Sequence, residues 1–387
     1  MLKKILAVLL LFSLAFVLNA DDFRKSMEDF NRYKQSQEAE FEAYQKAQTK
    51  VYKDYKKEIN LFWNDAKLST QESWLSYSDD KKTRSDVNFK DNIITLETIA
   101  ASEDEAKRNL QIALAKAVTI DTKTLQENDG LEKKLSEIAK PFDIKDSKVD
   151  NKPILSTVVF DKKPTENSVK KYVNKHISDS KIDVIESKKL KHAKIYSVVV
   201  KLPNDTMIKR SKIYLADVKE HAKKRKLPKP LIFAVIHSES SFNPRARSHV
   251  PAYGLMQIVP NTAGRDTYKF LYNQDKLVSG AYLYNSKNNI KMGSAYLHIL
   301  YYKYLRKIKN PDSRLYCTIA AYNTGTGNIA YAFTKEYNMN KAAPIINKLS
   351  PQEVYAKLLQ NLRFDEPKRY LKKVSKRMAA YNEIYGS

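Results

Sequence analysis

Cysteine is almost missing from this chain. Cys317 is the only one in 387 residues, which excludes an internal disulfide and disfavours a cysteine-based metal site. It lies in the apolar run Leu315–Tyr322 and reads as a small core residue. Glycine is also scarce. Seven of the eight glycines follow residue 250, and neither glycine nor proline occurs between Asp21 and Asp129. After the first 20 residues no run is apolar and long enough to span a bilayer. Acids are short relative to bases, 44 against 69, for a formal charge of +25. Such an excess suits an anionic partner: nucleic acid, anionic lipid or an acidic wall polymer. The charge is spread along the whole chain and no nucleic-acid module accompanies it, so nucleic acid is not an expected partner. The six histidines are scattered, and His237-Ser-Glu239 is not the His-Glu-x-x-His of a zinc site. No metal and no cofactor are expected.

Residues 1–20, MLKKILAVLLLFSLAFVLNA, carry two lysines, an apolar run from Ile5 to Leu18 and Ala20 before Asp21. This pattern is a cleavable secretory signal peptide, so a periplasmic location is expected. No cysteine stands near the cleavage site to make it a lipoprotein signal. From Phe23 to Phe62, aromatic and aliphatic residues recur at three- and four-residue steps, which predicts one or two long amphipathic helices. Their lysines could touch a membrane or wall surface, so peripheral outer-membrane or wall association through this region is possible, although such stripes more often pack on their own domain. Val87 and Phe89, then Asp91-Asn92, then Ile94 and Leu96 predict a β-hairpin. Ser102-Glu-Asp-Glu105 opens a helix with a capping-box pattern. Residues 121–153 read as an irregular connection, Pro153–Phe160 and Lys194–Leu202 as strands, and Ser168–His176 as a helix. A helix from about Lys209 to Lys224 leads to the proline pair Pro228 and Pro230. The division expected is a signal peptide (1–20), an α+β N-terminal domain (21–205) with no catalytic constellation, and a mainly helical domain (206–387).

The chemistry gathers in the last domain. An apolar helix (Leu231, Ile232, Val235, Ile236) delivers Glu239 to its end, and Asn243-Pro244 predicts that it stops near Phe242 or Asn243. A carboxyl partly desolvated there would keep its proton near neutral pH, as a general acid for glycoside cleavage must. Gly254-Leu-Met-Gln257 offers a backbone able to pass close to a ligand and, in Gln257, a paired donor and acceptor. Ser248 lies on the loop between them, within reach of a sugar substituent. Tyr322 and Asn323 close an apolar helix before Thr-Gly-Thr-Gly327, and Glu366-Pro-Lys-Arg-Tyr370 starts the last helix.

In this order and spacing, Glu239-Ser240, Gly254-Leu-Met-Gln257, Ala321-Tyr-Asn323 and Tyr370 resemble the family 1 lytic transglycosylases, with their soluble-lytic-transglycosylase (SLT) domain. Ser241–Ser248, Thr262–Asp266, Pro311–Arg314 and Val354-Tyr355 are similar to the membrane-bound transglycosylase C subgroup, as are Trp63, Val87–Thr98 and Pro153–Leu155 in the first half. The resemblance implies an α+β protein whose mainly α C-terminal catalytic domain is lysozyme-like. It implies a peptidoglycan lyase that cuts the β-1,4 bond between N-acetylmuramic acid and N-acetylglucosamine without water, leaving 1,6-anhydro ends, for wall remodelling. Glu239 would be the single acid and base, without the second carboxylate of most glycosidases. Ser248, Gln257 and Asn323 would hold the N-acetyl and neighbouring groups. Tyr322 and Tyr370 would line the wall near the acid, with Glu366 in support. Asp266 and Asp275 are weak candidates for a second acid. A goose-type lysozyme-like hydrolase and a non-catalytic peptidoglycan-binding protein are the alternatives.

Overall fold

The computed structural model describes the backbone of residues 2–142, 144–178, 180–249 and 251–386. The side chains of residues 1–20, expected to be a signal peptide, lie outside the described residues. Among the described residues, no helix is long and apolar enough to cross a membrane.

The glycine- and proline-free stretch begins in one continuous helix, α1 (Leu2–Asn60), whose Phe41, Tyr44, Tyr55 and Ile59 are buried. Strands β1 (Ser73–Tyr77), β2 (Thr83–Asn88) and β3 (Ile93–Ala100) follow. The expected hairpin is β2–β3: Asn92 takes the left-handed turn conformation at φ 57°, and Asn88 Oδ1 accepts from the backbone N–H groups of Lys90 and Asp91. Helix α2 (Glu103–Thr119) starts at Ser102, whose hydroxyl accepts from the Glu105 N–H. The stretch 121–153 is more ordered than expected. It holds α3 (Thr122–Asn128), α4 (Gly130–Ala139) and β4 (Ile144–Lys145). Asp121 and Asp129 are the N-caps of those two helices.

Pro153–Phe160 is not a strand either. It contains a turn of helix, α5 (Ser156–Val159), because Ile154, Leu155 and Val158 bury one side at helical spacing. Periodicity cannot separate the two for so short a run. Helix α6 (Glu166–Ile177) and strands β5 (Asp183–Glu186) and β6 (Lys194–Lys201) complete a five-stranded antiparallel sheet of order β1-β2-β3-β6-β5. Trp74, Val87, Phe89, Ile94 and Leu96 on its inner face pack against Leu110 and Leu114 of α2.

The remainder is almost all helix. The single helix expected over 209–224 is two, α7 (Thr206–Ile213) and α8 (Leu215–Arg225), broken at Tyr214, whose ring is fully buried. Helix α9 (Lys229–Ser240) is buried on every side from Leu231 to Ile236 and forms the axis of this half. Around it lie α10 (Arg265–Tyr272), the short strand β7 (Leu277–Val278), α11 (Gly280–Tyr284) and α12 (Ser286–His298). Helices α13 (Pro311–Thr334), α14 (Met339–Ile346), α15 (Pro351–Asn361) and α16 (Asp365–Tyr385) close it; α13 does not end at Asn323 as expected but resumes after a break at Gly325, whose φ of 80° is not helical. The architecture is α+β, with the sheet in the first half and a helical second half, and Cys317 lies in the helical core.

The halves interlock. β4 pairs in parallel with β7. Arg210 of α7 is buried, with its guanidinium over the Phe89 ring, donating to the Phe89 carbonyl at 2.7 Å and the Ser241 carbonyl at 3.4 Å. The polar segment after α9 is anchored on first-half helices. Arg245 pairs with Glu132 of α4 at 2.5 Å and donates to Gln126 of α3 at 2.8 Å, and Arg247 stacks on Tyr52 of α1 at 3.6 Å.

Candidate active site

Helix α9 ends two residues earlier than the proline suggests. Ser241 and Phe242 both adopt positive φ, 50° and 64°, a conformation that strains residues other than glycine. Burial of the Phe242 ring among Tyr214, Phe233 and Tyr381 and the Arg210 bond to the Ser241 carbonyl hold that turn. Ser240 fixes the last helical turn to the next loop, donating to Ile236 O within the helix and to Leu255 O at 2.9 Å. Glu239, between these constraints, is 9% exposed.

The Gly254–Gln257 loop packs against α12. Asn289 of α12 accepts from the Met256 N–H and donates to the carbonyls of Tyr253 and Leu283, all at 2.8 Å. Gly254 has φ +73°, and a Cβ there would sit 2.4 Å from both Asn289 Nδ2 and the Leu283 carbonyl. The glycine is therefore required for close packing on the protein itself rather than for the approach of a ligand. Gln257, also at positive φ, spends its amide nitrogen on the carbonyls of Ala246 and Gly254. Its Oε1 is buried with no partner.

Glu239 opens into a cavity of about 320 Å³. Helix α16 supplies one wall with Glu366, Arg369, Tyr370, Lys373 and Arg377, α13 supplies Asn323, and the first half supplies Gln71, Glu72 and Lys90. Burial raises the Glu239 pKa from 4.5 to about 7; Tyr370 and Lys373 pull against this, and the charge of Glu366 adds to it. Desolvation outweighs the tyrosine and the lysine, and the acid holds its proton near neutrality. The Tyr370 hydroxyl lies against that carboxyl, buried and without a regular hydrogen-bond partner. Burial first, and then the Glu239 charge, push its pKa well above the usual phenol range. Tyr322 is shifted the same way for the same reasons, and its hydroxyl donates to Met256 O at 2.8 Å. Asn323 donates to Glu366 at 3.2 Å.

The residues singled out in the sequence are thus not all in one place. Glu239, Asn323, Glu366 and Tyr370 line one cavity. Tyr322 braces the Gly254–Gln257 loop behind it, and Gln257 lies in that loop. Ser248 lines an adjoining cavity that shares Gln71 and Glu72 with the first. Asp266 meets Tyr304 and Asp275 pairs with Arg265, both away from the acid. The cavity's other carboxylates are exposed and engaged, Glu72 by Lys90 at 2.8 Å and Glu366 by Asn323. Among the described residues, no group of His, Cys, Asp and Glu is placed to hold a metal ion.

Sequence reasoning passed over Lys373 and Arg377. Lys373 donates to Ser238 O at 3.1 Å, and Arg377 donates to His237 O at 2.8 Å and to Ser238 Oγ. Two cations thus cap the C-terminal carbonyls of α9, where the helix dipole favours positive charge. Burial and those cations lower the pKa of His237 to about 3, which leaves it neutral beside the Tyr381 hydroxyl. On so basic a helix their four-residue spacing did not set them apart from their neighbours.

Two family models match the chain: residues 217–345 match the transglycosylase SLT domain, and residues 35–213 match the N-terminal domain of membrane-bound lytic murein transglycosylase C. The helical half with its buried acid is accordingly the SLT domain of a lytic transglycosylase, a glycosidic-bond lyase. A membrane-bound lytic murein transglycosylase C from Klebsiella pneumoniae is 33% identical over 321 residues, covering 82% of this chain and 84% of the relative. The enzyme of that name from Serratia proteamaculans is 33% identical over 320 residues, with the same shares. Among solved structures, the 70 kDa soluble lytic transglycosylase of Escherichia coli is 24% identical with a TM-score of 0.36, over 47% of this chain and 26% of that one. The chain belongs to the membrane-bound lytic murein transglycosylase C family.

Proposed function

We propose that the protein cuts the β-1,4 bond between N-acetylmuramic acid and N-acetylglucosamine of peptidoglycan and leaves 1,6-anhydro-muramic acid ends. The observation that carries this reading is a single buried carboxyl, Glu239, with its pKa pushed up to about 7 in a cleft whose other carboxylates are exposed and engaged. A protonated Glu239 delivers its proton to the glycosidic oxygen, and the bond to C1 breaks. With no second buried carboxylate to act as nucleophile, the substrate's own 2-acetamido oxygen stabilises the cationic centre, the substrate-assisted route open to glycosidases. Glu239, now a carboxylate, takes the proton of the muramic acid 6-hydroxyl as that oxygen closes on C1.

The other residues position the substrate. The unpartnered Oε1 of Gln257 is an acceptor for an N-acetyl N–H, and its amide nitrogen is committed to the loop. Asn323 keeps its carbonyl oxygen for the sugar while its nitrogen holds Glu366. Ser248 meets the chain further along the cleft. Tyr322 and Tyr370 exclude water and keep the acid desolvated. The signal-peptide pattern of residues 1–20 supports export to the periplasm, where this reaction remodels the wall. The 21–205 and 206–387 division separates the sheet-bearing half from the catalytic one.

The test is a digest of purified sacculi by the protein and by Glu239→Gln, with products read by mass spectrometry. The expected products are muropeptides about 18 mass units lighter than the hydrolysed form, because no water is retained, and none from the variant. Reducing ends in their place would make the protein a hydrolase; no product from the unaltered protein would leave a wall-binding protein.

A further inference from the structure

The cavity that holds Ser248 is larger than the one around Glu239, about 970 Å³, at the upper end of the range for ligand pockets. One wall is α1, which presents Lys53 and Lys56 a turn apart; the loop after α9 adds Arg247 and Ser248, and Gln71 and Glu72 form the boundary shared with the Glu239 cavity. A molecule held at Glu239 and continuing past Gln71 enters it.

Its charge is one-sided. Lys53 and Lys56 are exposed and make no ion pair among the described residues; the acid between them, Asp54, is turned to Lys57 at 3.0 Å. Arg247 is fixed on the Tyr52 ring, and its Nε is buried without an acceptor. The one acid in the cavity, Glu72, is already held by Lys90. Three permanent cations therefore face a cavity whose only carboxylate is engaged elsewhere. A neutral glycan has no use for them, whereas a carboxylate gains charge-assisted hydrogen bonds from each. A flat anionic membrane could meet exposed lysines, but it could not enter a concavity that shares its wall with the cleft.

We propose that this cavity binds the acidic peptide that muramic acid carries on its lactyl group, with Lys53, Lys56 and Arg247 pairing with the peptide's carboxylates. The proposal rests on the peptidoglycan reading above and deepens it. It makes α1 a specificity element, so that the enzyme distinguishes peptide-bearing strands from stripped ones through a helix remote in sequence from the acid.

The experiment uses the full chain and two readouts. In the first, the free tetrapeptide L-Ala-γ-D-Glu-meso-diaminopimelate-D-Ala is titrated into the protein by calorimetry. Binding is expected to weaken with added salt, to fall at least tenfold in Lys53→Glu/Lys56→Glu, and to survive in Lys53→Arg/Lys56→Arg. In the second, the ratio of kcat/KM on peptide-bearing to amidase-stripped strands is expected to be about ten for the unaltered protein and close to one for the charge-reversed variant. Absent tetrapeptide binding, binding indifferent to charge reversal, or binding only to phosphatidylglycerol vesicles would each overturn the proposal. Failure to cut strands of either kind would sink the proposed reaction instead, and the titration would still decide this inference.

Discussion

At the residue scale the protonation of Glu239 bears on both the proposed reaction and stability. If it acts as the general acid, activity falls as pH rises through about 7. The same shift has a thermodynamic sign. The folded state keeps a proton that the unfolded chain releases near 4.5, so the group's contribution to stability is full below 4.5 and is lost as pH rises through 7. A carboxylate forced to ionise in this burial weighs against the fold by about 3 kcal/mol. Glu239→Gln should therefore show a stability advantage over the unaltered protein up to about 3 kcal/mol larger at pH 8 than at pH 4; urea unfolding at the two pH values checks it. An advantage that does not change with pH would mean that the carboxyl ionises freely in the fold. Much of this was legible in the sequence, since an apolar helix ending on one glutamate already predicts a desolvated acid. Lys373 and Arg377 were not legible, because on a lysine-rich helix only the packing of α16 on α9 separates them from solvated neighbours.

At the scale of elements, the Gly254–Gln257 loop is held by α12. Gly254→Ala meets a carbonyl at 2.4 Å and a left-handed backbone together, so a loss of at least about 2 kcal/mol is expected, read as a lower urea midpoint with an unchanged slope. An alanine tolerated there would show that the loop relaxes away from Asn289 without cost. The elements that could be read in advance had two concordant signals. The β2–β3 hairpin combined alternation with a turn pair, and α2 combined a cap with an apolar stripe. Where signals conflicted the structure differed. Residues 121–153 read as an irregular connection and hold two capped helices and a short strand, while the apolar residues around Pro153 looked like a strand and form a helical turn. Strands β1 and β5 escaped notice because Ser73–Tyr77 is short and Asp183–Glu186 is exposed throughout and shows no buried face.

At the scale of the whole molecule, the first half reaches the catalytic chemistry. Thr70 O accepts from the Arg247 N–H, and the Asn243 amide reaches the carbonyls of Thr70 and Gln71 at 3.5 and 3.4 Å. A fragment starting at Thr206 loses these anchors together with the Arg245–Glu132 pair. It should cleave a short peptide-free glycan at least about tenfold more slowly than the full chain, since small displacements of positioning groups cost that much or more. Product release followed by chromatography measures it; a fragment as fast as the full chain would mean that residues 243–248 keep their shape unaided. The sequence alone showed no catalytic constellation in the first half, and its contacts with the site stay hidden there because they run between segments far apart in the chain.

Arg210 has a consequence for how such proteins can be recombined. One buried cation is shared by the β2–β3 turn, through Phe89, and the end of α9, through Ser241. Burial lowers its pKa to about 9, and losing either carbonyl would leave its charge less compensated in the interior. A chimera that joins this helical half to another relative's first half at the 205/206 boundary inherits the arginine without its own hairpin. Grafts of the catalytic half therefore have to carry residues 69–92 along, because the seam of the active site does not coincide with any single cut in the chain.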